Sequence, residues 1–224
     1  MTLKSKEIRV LPIGGFNEVG GNMVCYETDQ DLIAIDCGIM FPGPNVYGCD
    51  KLAVDLSYLH QKRDKLRGFF ITHGHEDHVG ALPFAINEFD VPIYGSNFTL
   101  DLIREKLNHS TTTFTQYQPL QPRERAIFTS LEIEAISITH SIPECFAFAI
   151  HSDAGILIHT GDFKIDPNPI DNRTTDIDRF SELGKNGVLA LISDSTNATR
   201  DGHTLPERQV HKNLAKVISQ APGR

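Results

Sequence analysis

Six residues, His73-Gly74-His75-Glu76-Asp77-His78, constrain this chain more than any other stretch. They follow the apolar run Phe69-Phe70-Ile71-Thr72, which reads as a strand that delivers its last residues onto a loop. Three imidazoles and a carboxylate this close together cannot all enter one compact coordination sphere without strain. They can serve two cations side by side, with His73 and His75 on one and Asp77 and His78 on the other. A mixed nitrogen and oxygen donor set suits zinc, with manganese as the alternative. Crowding one strand end with so many titratable groups brings no packing advantage, so the cluster points to a two-metal hydrolase.

Further strand ends supply what such a centre lacks. His140 closes the stretch 131–139 and is placed to complete the first cation's shell; Asp162, in Thr160-Gly161-Asp162, is placed to bridge both. Asp36 ends the stretch 32–36 and is placed to orient a ligand imidazole from behind. An isolated histidine at a strand end is more often a surface or hydrogen-bonded group than a ligand; the neighbouring cluster is what reverses that for His140. His60, His109, His151, His203 and His211 have no such context and read as ordinary, and His159, inside an apolar strand, reads as buried and structural.

Short apolar strands alternate with helical stretches, which predicts an α/β layered domain. Strands are expected at 8–13, 23–26, 32–36, 68–72, 92–94, 131–139, 146–150, 156–159 and 188–193, the last of them buried. A hairpin joins the first two, and another turns at Ser152-Asp153-Ala154-Gly155. Ile136 breaks the strict alternation of 131–139. Helices are expected at 79–89 and 100–107, and a Pro/Asn/Asp-rich loop at 166–175. Thr204-Leu205-Pro206-Glu207 fits a capping box before a last helix, whose Val210, Leu214, Val217 and Ile218 form an apolar face without an evident partner. The glycines of 14–21 supply turn residues; their spacing does not fit a dinucleotide fingerprint, and a strand follows where that motif needs a helix.

A composition 40% hydrophobic and 22% charged describes a globular protein. No apolar run approaches the roughly 20 residues needed to span a bilayer, and Glu7 and Arg9 interrupt any signal-type stretch, so a cytoplasmic protein without membrane contact is expected. Cys25, Cys37, Cys49 and Cys145 lack CxxC spacing and read as free thiols of a reducing compartment. A formal charge of −8 argues against coating nucleic acid through net charge, but bound cations reverse the sign of their own surroundings.

The motifs are similar to those of the metallo-β-lactamase fold, and in particular the chain resembles the ribonuclease J family of the β-CASP group. The resemblance rests on Gly14-Gly15-Phe16-Asn17-Glu18-Val19-Gly20, Phe41-Pro42-Gly43, the run Thr72 to Pro83, Thr139-His140-Ser141-Ile142-Pro143, His159-Thr160-Gly161-Asp162-Phe163-Lys164 and Ser193-Asp194-Ser195-Thr196-Asn197-Ala198, in that order along nearly the whole chain. It implies an αββα four-layer sandwich with metals at the strand ends, here C-terminally truncated. Residues 1–200 would form the incomplete core, and 201–224 the start of the β-CASP insertion. It implies His73, His75 and His140 on one metal, Asp77 and His78 on the other, Asp162 bridging, and Asp194 orienting the site from outside the coordination sphere. Asp36, Asp77, Asp162 and Asp194 are thus the candidate catalytic carboxylates.

The activity implied is hydrolysis of RNA phosphodiesters through a metal-bridging hydroxide, as endonuclease and 5′-to-3′ exonuclease, with RNA as partner. The proton donor to the leaving oxygen would be a histidine this chain lacks. Two other readings compete. The same fold can hydrolyse β-lactams, lactones or thioesters, although Asp162 stands where familiar lactamases of two subclasses use cysteine. A non-catalytic remnant that binds metal or RNA, or associates as a homo-oligomer through its C-terminal helix, is the third.

Overall fold

The computed structural model describes residues 3, 6–43, 46–108 and 114–223; His109 lies outside them. Two sheets form the body. The first has the order β1-β2-β3-β6-β7-β8: β1 Arg9–Gly14, β2 Met23–Glu27, β3 Leu32–Ile35, β6 Leu66–Phe70, β7 Ile93–Gly95 and β8 Tyr117–Pro119. The second has the order β13-β12-β11-β10-β9: β9 Arg125–Ile127, β10 Leu131–Ile138, β11 Cys145–Ser152, β12 Gly155–His159 and β13 Ala190–Ile192. A small ribbon pairs β4 (Ile39–Met40) with β5 (Leu52–Ala53). The helices are α1 Ser57–Gln61, α2 Glu76–Val79, α3 Leu82–Glu88, α4 Asn97–Asn108, α5 Ile177–Asn186 and α6 Glu207–Gln220.

Side-chain alternation sorts the core into three slabs, and these define the layers. Met23, Cys25 and Phe69 leave one face of the first sheet to meet Leu59 of α1, Leu82 and Ile86 of α3, and Leu100 and Ile103 of α4. Val24, Tyr26, Ile33 and Phe70 leave the other face and pack on Ile133, Phe146, Phe148 and Ile150. The far side of the second sheet sends Ile136, Ile138, Ala147 and Ile158 against Leu183 and Phe180 of α5. The result is the expected αββα sandwich. In its middle, Phe70 stacks on Tyr94 with centroids 4.4 Å apart and meets Phe148 edge-on at 5.6 Å. Each such buried aromatic or aliphatic side chain stabilises the fold by roughly 1.5–3 kcal/mol.

Several expectations need correcting. Ile136 is not a break in pattern: β10 is buried on both faces, so Ile136 and Ile138 serve the α5 side while Leu131, Ile133 and Ala135 serve the inter-sheet core. The stretch 188–193 is not a buried strand: β13 is the edge strand of the second sheet, and Leu189 and Leu191 are exposed. The helix expected at 79–89 is two helices, α2 and α3, with Pro83 in the first turn of the second. Thr204 does not cap α6: Pro206 occupies the cap position without a side-chain bond. The orphan Glu207 N–H instead donates to Asp166 Oδ2 at 2.8 Å, while Lys164 pairs with the Glu207 carboxylate. The apolar face of α6 is exposed at Val210, Leu214, Val217 and Ile218.

Strand directions position the site. In the second sheet β11 lies antiparallel between β10 and β12, and β13 runs parallel to β12, so β10, β12 and β13 all end on one side. In the first sheet β3 and β6 are parallel neighbours. The Phe146 N–H donates to the Thr72 carbonyl at 2.9 Å and joins the two sheets beside those ends.

Candidate metal centre

His73 follows β6, His140 follows β10, Asp162 follows β12, Asp194 follows β13 and Asp36 follows β3. The tight turn after β6 places His75 just before α2, which itself carries Asp77 and His78. Donor atoms of His73, His75 and His140 lie within 4.8 Å of one another, and so do those of His73, His78 and Asp162. His73 is common to both groups and fully buried. Asp77 belongs to neither, although its Oδ2 lies 3.7 Å from His78 Nε2.

Asp162 stands between the halves. Its Oδ1 is 3.4 Å from His78 Nε2, and its Oδ2 is 3.8 Å from His140 Nε2. Gly161 makes this approach possible: its φ is +59°, and a Cβ there would lie 2.8 Å from the Thr72 side chain.

Asp36 is buried behind the centre with φ 62°, a left-handed conformation that Asp tolerates better than most residues. Its Oδ1 accepts the Thr72 N–H at 2.8 Å, and its Oδ2 lies 2.7 Å from His78 Nδ1. That contact holds the His78 ring with its Nε2 toward Asp162. Thr72 Oγ1 donates to Asp36 and sits 2.9 Å from His73 Nδ1, so one hydroxyl links the supports of both halves.

The donor chemistry fits divalent cations. Burial pushes the His73 imidazole far below its ordinary range, assisted by His78, His140 and His75. Burial lowers His75 and His140 as well. All three rings are therefore neutral at physiological pH, with lone pairs free to coordinate. His73 Nε2 and His75 Nδ1 are 3.0 Å apart, a spacing that needs a proton or a cation between the two nitrogens. Burial also resists charging of His78, but Asp36 and Asp162 outweigh it and lift that ring to about 10. Asp162 likewise overcomes burial and stays below the usual carboxylate range through His78 and the neighbouring rings.

Sequence reasoning missed Asn22. Its Nδ2 lies 3.2 Å from Asp77 Oδ2 and 3.1 Å from His78 Nε2, and its N–H donates to the Asp77 carbonyl. Nothing local announces it; the only signal is its place beside the glycine-rich turn, which packs on α2. Asp194 belongs to neither donor group. Its Oδ1 accepts the Thr196 N–H at 2.7 Å and shapes its own turn, while its N–H donates to Thr160 Oγ1. His159 is buried with Nδ1 2.9 Å from the Tyr26 hydroxyl, a structural role as expected. His60 and His151 pair with Glu88 and Glu134. The four cysteines are free thiols, Cys25, Cys37 and Cys145 of them buried.

A cleft of roughly 830 Å³ opens onto Asp77, His78 and Asp162. Its walls are the 14–20 turn from the first sheet and the 193–200 segment from the second. No helix among the described residues is long and apolar enough to cross a membrane.

Comparison with known proteins agrees with this architecture. Ribonuclease J of Synechocystis is 40% identical over 99% of this chain, and that of Helicobacter pylori 42% identical over 100%. Ribonuclease J 2 of Staphylococcus aureus is 35% identical over 99%. The chain spans only 35%, 33% and 40% of those three proteins. Among solved structures, a protein of unknown function from Enterococcus faecalis superposes with a TM-score of 0.67 at 15% identity, covering 96% of this chain and 58% of that one. A metallo-beta-lactamase from Cronobacter sakazakii superposes with a TM-score of 0.57 at 14% identity, covering 95% and 96%; at these identities only the fold is shared. Residues 17–171, more than half of the chain, match the profile of the metallo-beta-lactamase superfamily, and the chain belongs to that superfamily.

Proposed function

We propose that this centre hydrolyses RNA phosphodiesters with two divalent cations, zinc or alternatively manganese. The observation that carries the two-cation reading is Asp162, whose two oxygens face His78 on one side and His140 on the other. His73, His75 and His140 would hold one cation; His78, Asp77 and Asp162 would hold the second, with Asp162 shared. RNA as substrate draws its support from the ribonuclease J relatives.

Bound divalent cations would supply Lewis-acid charge and bring the pKa of water toward neutrality. The chain's own groups do the positioning. Neutral imidazoles on the buried side offer lone pairs without protons to displace. Asp36 accepts the hydrogen bond from His78 Nδ1–H and fixes which nitrogen faces the cleft. Asn22 steadies the Asp77 carboxylate from the cleft side. We read residues 1–200 as the superfamily core and 201–224 as the opening of a β-CASP unit, supported by the exposed apolar face of α6. A cytoplasmic setting agrees with the free thiols.

The test is metal content per chain measured alongside digestion of a 5′-labelled RNA. The expected result is two cations per chain and cleavage that chelator and His73→Ala both abolish. Two bound cations without RNA cleavage would separate an assembled site from a working enzyme, and metal-dependent turnover of a chromogenic β-lactam in place of RNA cleavage would defeat the substrate assignment and redirect it to acyl substrates.

A further inference from the structure

The cleft beside the His78–Asp162 half has two wall features that the metal chemistry does not use. Phe16 sits on the turn after β1, lines the cleft, and leaves 47% of its surface exposed. The far end of that turn is tied to the metal motif: Gly21 N–H donates to the Ile39 carbonyl at 2.8 Å and Asn22 N–H to the Asp77 carbonyl at 2.9 Å. Within the turn, Gly15 N–H donates to Glu18 Oε1 at 3.1 Å. Phe16 is thus an exposed aromatic on a turn anchored beside the metal motif.

Arg200 lines the same cleft from the segment after β13. Among the described residues it is the one arginine whose guanidinium has neither a hydrogen bond nor an ion pair; even the exposed Arg123 and Arg173 hold Asp176 and Glu144. It stays unpaired although Glu18 and Asp194 line the same space. A guanidinium left free there is available to an anion, and a polyanion is drawn in once cations offset the carboxylates.

We propose that this cleft seats a single-stranded RNA segment next to the cations, with a base stacked on Phe16 and a backbone phosphate on Arg200. The proposal rests on the RNA-hydrolase reading and adds the direction from which the strand arrives. Its size falls within the range of ligand pockets. A paired strand hides its base faces in its own stack, so an aromatic wall finds a partner only on an unpaired one.

The test is fluorescence anisotropy with the zinc-loaded 224-residue chain and a labelled, phosphorothioate-linked octanucleotide RNA that stays intact. An abasic strand of the same length serves as the second probe. Phe16→Ala is expected to weaken the base-containing strand about tenfold, leave the abasic strand unchanged, and be rescued by Phe16→Tyr. Arg200→Ala is expected to weaken both strands and to reduce the slope of log affinity against log salt by about 0.7, the loss of one phosphate contact on a single strand. Both positions are exposed, so the fold should survive; a lost metal complement would reveal a misfolded variant, for which Phe16→Leu and Arg200→Gln substitute. If the wild type binds and cleaves RNA but neither variant changes affinity or salt slope, the cleft assignment falls while the hydrolase reading stands. If the wild type has no affinity for either strand, both fall.

Discussion

The two donor groups of the candidate metal centre are built by different means. The His73–His75–His140 half is all imidazole, and burial keeps its rings neutral. The His78–Asp162 half is charged, and a buried carboxylate behind it and an amide beside it keep its groups in place. Backbone geometry and dehydration set the first half, while a hydrogen-bond network sets the second. Substitutions should therefore separate them.

His73→Ala should have the largest effect, because His73 alone belongs to both groups. Removing it is expected to cost more metal affinity than the roughly 10- to 100-fold that loss of a supporting residue brings, and to empty the His73–His75–His140 half. Metal content after dialysis checks this; retention of two full cations would show that His73 is not a ligand. Asp36→Asn comes next. It should lower affinity at the His78–Asp162 half by about 10- to 100-fold and leave the all-imidazole half loaded, which a titration resolving two binding steps would register. Equal loss at both steps would mean that Thr72 transmits the damage to His73.

The smallest effect on the centre should come from Glu134, which serves as the control. It is buried on β10 among Arg179, Arg125 and His151. Burial resists its charge, yet hydrogen bonds from His151 and Arg179 prevail and hold its carboxyl at about 2. A carboxyl depressed in the folded state contributes stability above its unfolded value of about 4.3, and that contribution disappears as pH falls toward the folded value. Glu134→Ala should destabilise the fold by about 1–3 kcal/mol at neutral pH, since Arg179, Arg125 and His151 lose a buried carboxylate while Glu182 and Glu132 still hold the two guanidinium groups, and should flatten the acid limb of the stability profile. Denaturant unfolding between neutral pH and acid measures both, with metal stoichiometry expected to stay unchanged.

The same contrast explains what the sequence could reveal. The imidazole half was legible because strand β6 and the turn after it deliver His73 and His75 together, and because apolar β10 ends visibly at His140. The layers were legible from alternation, except where β10 is buried on both faces and Ile136 looked like an error. The supports of the charged half were harder to read, because they are long-range contacts. Asn22 meets Asp77 from 55 positions away. The cap of α6 comes from Asp166, 41 positions away, so the local Thr204-to-Glu207 pattern misled. Edge exposure of Leu189 and Leu191 depends on which element covers a sheet face, which a local apolar run does not encode.

The most direct test of the two-cation centre is anomalous diffraction at the zinc edge from crystals of the chain grown with zinc. Two peaks about 3.5–4 Å apart are expected, with one Asp162 oxygen on each. His140 should ligate the first site and His78 the second. A single peak, or two peaks that Asp162 does not join, would contradict the bridging geometry on which the hydrolytic reading depends.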